Sequence, residues 1–448
     1  PSVRPRVTAP DALADEAVGR AAVARVTRRL LPFLFVLYLF NYLDRTNVAM
    51  AALQMNRDLR FSATAYGVGA GVFFVGYALF EVPSNLILAR VGARRWIARI
   101  MLSWGLVATA MMFVRTPWQF YVLRFLLGVG EAGFFPGIVY YLGQWFPAPE
   151  RARALARFTI AIPLSGAVGG PLGAALLGLD GRLGLAGWQW LFLVEGVPSA
   201  LLGVVVLRYL TDRPEEARWL PPAERAWLVD RLAHEATLGP APHGLPPLRA
   251  MREPRVWWLA VPYFLVVVVG YTYSFWGPTL VREAFGVGPT GVGRALAGVA
   301  VLTALVMLAV GASADRRGGH ALHVAAASGV GAGALAVSAL SRAPAVQVAG
   351  LAVAYLAFTG AFPAFFALPG LLLRGAAAAV GIAFVNAVGN LGGVVGPPAV
   401  GALRDSAGGM RAAYALLCAC AATAAVAMWT LGRRMAAEGG AEHRAQRP

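Results

Sequence analysis

LPFLFVLYLFNYLDRTNVAMAALQM, residues 31–55, is one apolar run long enough to cross a bilayer. Asp44 and Arg45 stand side by side near its middle. A charge at the centre of a bilayer costs on the order of 3 kcal/mol on insertion scales, so an intramembrane carboxylate and guanidinium mark a functional site by default. Mutual neutralisation at a helix end is the plainer alternative.

Apolar runs of similar length continue along the chain. They fall at 30–53, 64–89, 96–114, 118–143, 153–178, 188–210, 255–281, 291–314, 320–341, 345–373, 376–403 and 411–432. The chain of 448 residues is 58% hydrophobic and 14% charged, with a mean hydropathy of +0.63, which excludes an ordinary soluble domain. All 39 basic residues are Arg, and the net charge is +17. A nucleic-acid surface is one reading of that charge. However, the arginines sit in short segments between apolar runs, as topology signals do. Arg25/Arg28/Arg29, Arg90/Arg94/Arg95, Arg151/Arg153/Arg157, Arg316/Arg317 and Arg433/Arg434 share one side of a twelve-span arrangement, placing both termini and the central loop in the cytoplasm. The polar, Arg-bearing residues 1–28 have no apolar core and predict no cleavable signal peptide.

The expected organisation is a cytoplasmic tail at 1–29, a bundle at 30–210, a cytoplasmic linker at 211–253, a second bundle at 254–433 and a tail at 434–448. The linker holds Pro214, Pro221, Pro222, Pro240, Pro242, Pro246 and Pro247. Between them, Trp227, Leu228 and Leu232 share one face of a short amphipathic helix, expected at the membrane surface. The halves repeat. Arg90 and Arg316 are 226 positions apart, as are Gly166-x-x-x-Gly170-Pro171 and Gly392-x-x-x-Gly396-Pro397. Tandem six-helix halves with a substrate site between them describe many secondary transporters. Helix packing is the favoured role for these four glycines.

The loop residues Gly311, Asp315, Arg316 and Gly318, with Arg90, Gly92, Arg94 and Arg95 in the first half, resemble the signature of the major facilitator superfamily. The first copy departs from it, with Ala89 where the acid normally sits. The segments Asn41–Arg45, Gly76–Asn85, Arg124–Gly137, Ser274–Pro278 and Asn386–Gly393 resemble its anion:cation symporter branch, which takes up tartrate, phthalate, sugar acids and hydroxyphenylacetate. The resemblance implies an all-α integral membrane protein of twelve helices in two pseudo-symmetric bundles. It further implies proton coupling at Asp44 and Glu131, anion binding at Arg45, and Arg124 paired to Glu131.

The residues argue in the same direction. Adding 226 carries Arg45 to Tyr271, Arg124 to Gly350 and Glu131 to Ala357, so the fold itself does not require these charges. Arg124 and Glu131, two turns apart, share a helix face. Pro136 and the neighbouring glycines predict a distorted helix lining a cavity. Arg45 offers a cationic fork suited to a carboxylate and cannot lose its proton. Asp44 and Glu131 can change charge. An arriving anion and a proton together restore a balance that either alone disturbs. Tyr42, Tyr77, Tyr271, Tyr273, Ser274, Asn386 and Asn390 are candidates to complete the pocket, against bonding between helices as the alternative. Glu81 and Glu195 are open between structural and site roles; Trp188 and Trp190 read as interfacial anchors. Apolar residues from Ile160 to Leu164, before Ser165, favour a less hydroxylated or aromatic anion.

The leading reading is therefore proton-coupled import of a small organic anion across a bacterial inner membrane. An exchanger or exporter of the same fold is the alternative, supported by the GxxxGP pattern. A membrane-embedded enzyme or a sensor ranks lower: the five histidines fall in loops or termini, and no metal or nucleophile motif occurs. With no Lys there is no nucleotide-binding loop lysine. Cys418 and Cys420, two apart, predict neither disulfide nor metal site. No cofactor or metal is expected, and the protein is expected to be a monomer.

Overall fold

The computed structural model describes residues 9–238, 253–372 and 376–445, with side chains in these except at 9–14, 149, 152, 236–238, 370–371, 376–383 and 438–445. Every extended element among them is a helix. In chain order these are α1 (Ala9–Asp58), α2 (Ala63–Val91), α3 (Ala93–Ala110), α4 (Pro117–Glu131), α5 (Phe134–Trp145), α6 (Ala148–Thr159), α7 (Ala161–Leu177) and α8 (Gly187–Tyr209). After α9 (Pro222–Leu238) come α10 (Pro254–Phe285), α11 (Pro289–Arg317), α12 (His320–Leu340), α13 (Pro344–Gly360), α14 (Phe362–Leu372), α15 (Ala376–Asp405) and α16 (Gly409–Ala445).

Ten helical segments among the described residues are long and apolar enough to cross a membrane, three of them broken: α4–α5, α6–α7 and α13–α14. Outside that count stand α1 and α15. The polar residues Asn41, Asp44, Arg45 and Asn47 interrupt the apolar character of α1. Both pack within the bundle, α1 against α7, α8 and α10, and α15 against α2 and α10, which completes twelve spans. The repeat is visible in the helix bounds. α2 and α11 are each 29 residues long and lie 226 positions apart at both ends.

The halves meet along α2 with α15 and along α7 with α11, which are equivalent pairs under that offset. Small residues permit the approach: a Cβ on Gly67 would lie 2.5 Å from Pro397 O, and one on Gly170 2.7 Å from Gly293 O. Gly392 and Gly396 approach the α10 backbone instead. The GxxxG residues are packing surfaces, with Gly166 the loosest of the four.

Hydrogen bonds join the halves near one end. Thr64 donates its N–H and its hydroxyl to Asp405 Oδ2, both at 2.7 Å, Tyr66 Oη donates to Phe275 O at 2.7 Å, and Arg282 donates to Leu53 O. The halves are therefore tied by hydrogen bonds at this end of the bundle.

Two readings of the polar segments change. Residues 9–29 are not a separate tail but the first turns of α1. The apolar face of α9 covers those turns rather than a membrane surface: Trp227 packs over Gly19, Leu228 is buried, and Arg25 Nε donates to Glu224 Oε2 at 2.9 Å. Pro240, Pro242, Pro246 and Pro247 lie outside the described residues.

Candidate functional site

Asp44 and Arg45 are consecutive on α1, so their side chains leave the helix about 100° apart. They do not neutralise each other. Asp44 turns into the α3–α8 contact, fully buried, where Oδ2 accepts from Trp104 Nε1 at 2.7 Å and Ser199 Oγ at 2.5 Å. Arg45 turns toward the seam between the halves. Its Nε donates to Glu131 Oε1 at 2.8 Å, and Nη2 reaches the same oxygen.

Glu131 is the last residue of α4, where the span breaks. Gly133 has φ +86, a left-handed conformation that glycine adopts without strain, before α5 begins. The break removes the Ala132 carbonyl from the helical ladder, and Ser84 Oγ donates to it at 2.7 Å. The distortion expected near Pro136 is therefore real, and it places Glu131 opposite Arg45. The second oxygen, Oε2, is buried without a hydrogen-bond partner.

The expected Arg124–Glu131 pair does not form. Two helical turns separate their Cα atoms by about 10 Å, too far for a pair on one straight helix. Arg124, fully buried, instead donates to Gly69 O at 3.2 Å and Ala70 O at 3.5 Å, with its guanidinium 4.8 Å from the Phe73 ring centre.

Aromatic rings surround Arg45: Tyr77 at 5.0 Å, Phe73 at 5.5 Å and Tyr42 at 5.8 Å from ring centre to guanidinium. From the second half, Tyr271 interacts with Arg45, stacks near Phe74 with ring centres 4.3 Å apart, and donates its hydroxyl to Asn390 Oδ1 at 3.3 Å. Asn386, half-buried, lies one turn from Asn390 on α15. Glu81, one turn beyond Tyr77, also lies within electrostatic reach of Arg45. Tyr273 and Ser274 are not brought to Arg45. Tyr273 stacks on Tyr355 at 4.3 Å within the second half, and Ser274 donates to Gly270 O at 3.0 Å. Ser165 likewise donates to its own helix, at Ile162 O.

Several members were missed in the sequence. Asn41, one turn from Arg45, is buried with both amide atoms unpartnered. Tyr38 stacks on Phe158 at 4.5 Å and meets the Tyr42 edge, continuing the aromatic lining. The i,i+3 spacing of Asn41, Asp44 and Asn47, with Asn41 at i,i+4 to Arg45, was the available signal.

The loop motif has an unexpected completion. Where Ala89 replaces the usual acid, Asp212 from the segment after α8 accepts from Arg94 N–H at 2.8 Å and lies against Gly92, whose φ is +96. In the second half Asp315 is exposed beside His320, at 3.7 Å, and Gly311 packs on Pro363. Arg90 and Arg316 are exposed, and Gly318 is a left-handed turn residue at φ +67. Trp188, expected as an interfacial anchor, is buried and donates to Asp58 Oδ2 at 3.2 Å. The cysteines are unpaired.

Residues 34–397 match the model of the Major Facilitator Superfamily. The chain is 44% identical over 419 residues, 93% of this chain and 96% of the other, to an Agrobacterium vitis protein named "Putative tartrate transporter". It is 40% identical over 390 residues, 87% of this chain and 90% of the other, to a protein of Acinetobacter baumannii named "Quinolone resistance transporter". A solved bacterial homologue of the human lysosomal transporter Spinster, inward-facing and unoccupied, superposes with a TM-score of 0.70 at 17% identity, covering 91% of this chain and 95% of that one.

Proposed function

Because this chain belongs to the Major Facilitator Superfamily, and so is a multi-pass membrane transporter and not an enzyme, we propose that it imports a small organic anion together with protons by alternating access. The observation that carries this reading is Arg45: a permanent cation on the seam between the halves, whose counter-ion, Glu131, is itself able to take a proton. Protonating Glu131 weakens its hold on the guanidinium, and a substrate carboxylate then replaces it at the same fork. Anion and proton enter together because each alone leaves an uncompensated buried charge. Tyr42, Tyr77, Tyr271, Asn386 and Asn390 supply rings, hydroxyls and amides around the anion's remaining atoms. Arg124 holds the α2–α4 contact, and Asp44 is a second proton site.

The arginine distribution favours both termini on the cytoplasmic side of a bacterial inner membrane, with the hydrogen-bonded end of the bundle on the opposite side. The protein works as a monomer in this account, each chain holding a complete site. Export of an aromatic acid is the second reading, favoured by the name of the Acinetobacter relative and by the aromatic lining around Arg45.

Binding tests the anion assignment. Thermal unfolding of purified protein is followed with tartrate, glucarate, galactonate, phthalate and hydroxyphenylacetate, since a ligand of the folded state raises the midpoint in proportion to the logarithm of its concentration. At least one carboxylate raises it, and its uncharged amide does not. Stabilisation by the amides to the same extent would remove Arg45 from the reading.

A further inference from the structure

Beside Asp44 lies a third buried carboxylate of the bundle, Glu195 of α8, that the transport cycle described above does not use. Its exposure is 2%, and its Oε2 has no hydrogen-bond partner. One turn further on α8, Ser199 reaches Asp44. Asn47 of α1 lies between the two acids: its Nδ2 donates to Asp44 Oδ1 at 3.4 Å, and the amide interacts with the Glu195 carboxylate.

Donor accounting locates a missing proton. Trp104 can only donate, so Asp44 Oδ2 accepts its bond, and the single Ser199 hydroxyl hydrogen is shared between Asp44 Oδ2 and Glu195 O at 3.0 Å. Asp44 Oδ1 faces only the long Asn47 contact. Asn47 Oδ1, an acceptor, is buried with no donor, and so is Glu195 Oε2. Two carboxylates and one amide oxygen thus share a buried space with too few hydrogens. Two adjacent carboxylates there, with no cation between them, cannot both stay ionised. A proton on either acid supplies the donor the cluster lacks.

We propose that Glu195 is the partner of Asp44 in a proton-holding pair bridged by Asn47, so that the pair carries one proton and one negative charge and binds a second proton to become neutral. The proposal rests on the proton-coupled reading given above. The titratable groups near Asp44 are Glu195 on α8 and Glu131 at the end of α4, the latter countered by Arg45. On α3, which packs against both, Arg99 lies over the Trp96 ring and bonds Ser103 rather than either acid. Glu195 acts on the transport proton through Asp44 and touches no substrate.

The test is a pH-difference infrared titration of protein in liposomes, read at the protonated-carboxyl band, beside uptake measured over the same pH range. Sites coupled in this way titrate as a pair, about one pH unit or more apart. Glu195→Gln removes one of the two sites, so the two-step carboxyl titration collapses to a single step, and the uptake profile changes with it. Asp44→Asn carries the same infrared prediction, a single step remaining at Glu195, should the first variant fail to fold. An infrared midpoint and uptake profile unchanged in Glu195→Gln overturn the pair. Wild-type uptake indifferent to the proton gradient contradicts the transport reading instead, whatever the variant does.

Discussion

At the residue scale, the site follows from which way neighbouring side chains leave one helix. Asp44 and Arg45 are adjacent in the chain yet serve different interfaces, one with α3 and α8, the other with Glu131. The charges themselves were legible because lipid tolerates so few of them. Their partners were not: spacing along a helix gives a face, whereas Arg45–Glu131 bridges 86 positions and depends on the break after α4. Tyr273, two residues from Tyr271, turns instead into its own half against Tyr355, a distinction set by helix rotation, and the Ser274 hydroxyl is held by Gly270 O of its own helix. For Arg45 the fork is essential. Arg45→Lys keeps the charge and loses the two-pronged geometry, and one charged hydrogen bond is worth about 1.5 kcal/mol, so substrate affinity falls about tenfold. Binding titration checks this; unchanged affinity would mean that only charge matters.

At the element scale, helix ends carry hydrogen bonds between the halves. Asp405, the last residue of α15, caps the start of α2 through Thr64. The Thr64 hydroxyl and then its N–H hold the Asp405 carboxyl below the usual carboxylate range. The ionised acid makes these bonds, so the contact is present at neutral pH and is lost only as pH falls through that lowered value. A lost cap costs about 1 kcal/mol, roughly fivefold in an equilibrium. Asp405→Ala therefore shifts the closed end toward opening at neutral pH, and its difference from the wild type disappears once the wild-type acid is protonated. Spin labels at Arg60 and Ala407 detect it as a longer-distance population, and an unchanged distribution would show that the cap does not hold the halves. The same scale explains two differences from the sequence reading. The amphipathic α9 found a protein surface, because α1 extends far enough to offer one. The acid absent at Ala89 is replaced by Asp212, more than a hundred residues downstream, which no local motif reveals.

At the scale of the whole molecule, the offset of 226 positions was readable from two motif pairs and reappears in the bounds of α2 and α11. The twelve spans were readable too, except that α1 falls short in hydropathy because it carries the site. Which end of the bundle ties the halves by hydrogen bonds was not readable, since it depends on contacts between segments far apart in the chain. Such a molecule, closed at one end with an arginine–carboxylate pair on its seam, makes proton-coupled anion transport the central claim. Uptake of labelled tartrate, glucarate, galactonate, phthalate and hydroxyphenylacetate into proteoliposomes, with and without an inward proton gradient, tests it most directly. The account predicts that one of these anions accumulates against its own gradient only when protons are driven inward, and that Asp44→Asn and Glu131→Gln abolish the accumulation. Counterflow indifferent to the proton gradient, or accumulation that survives both substitutions, would contradict it.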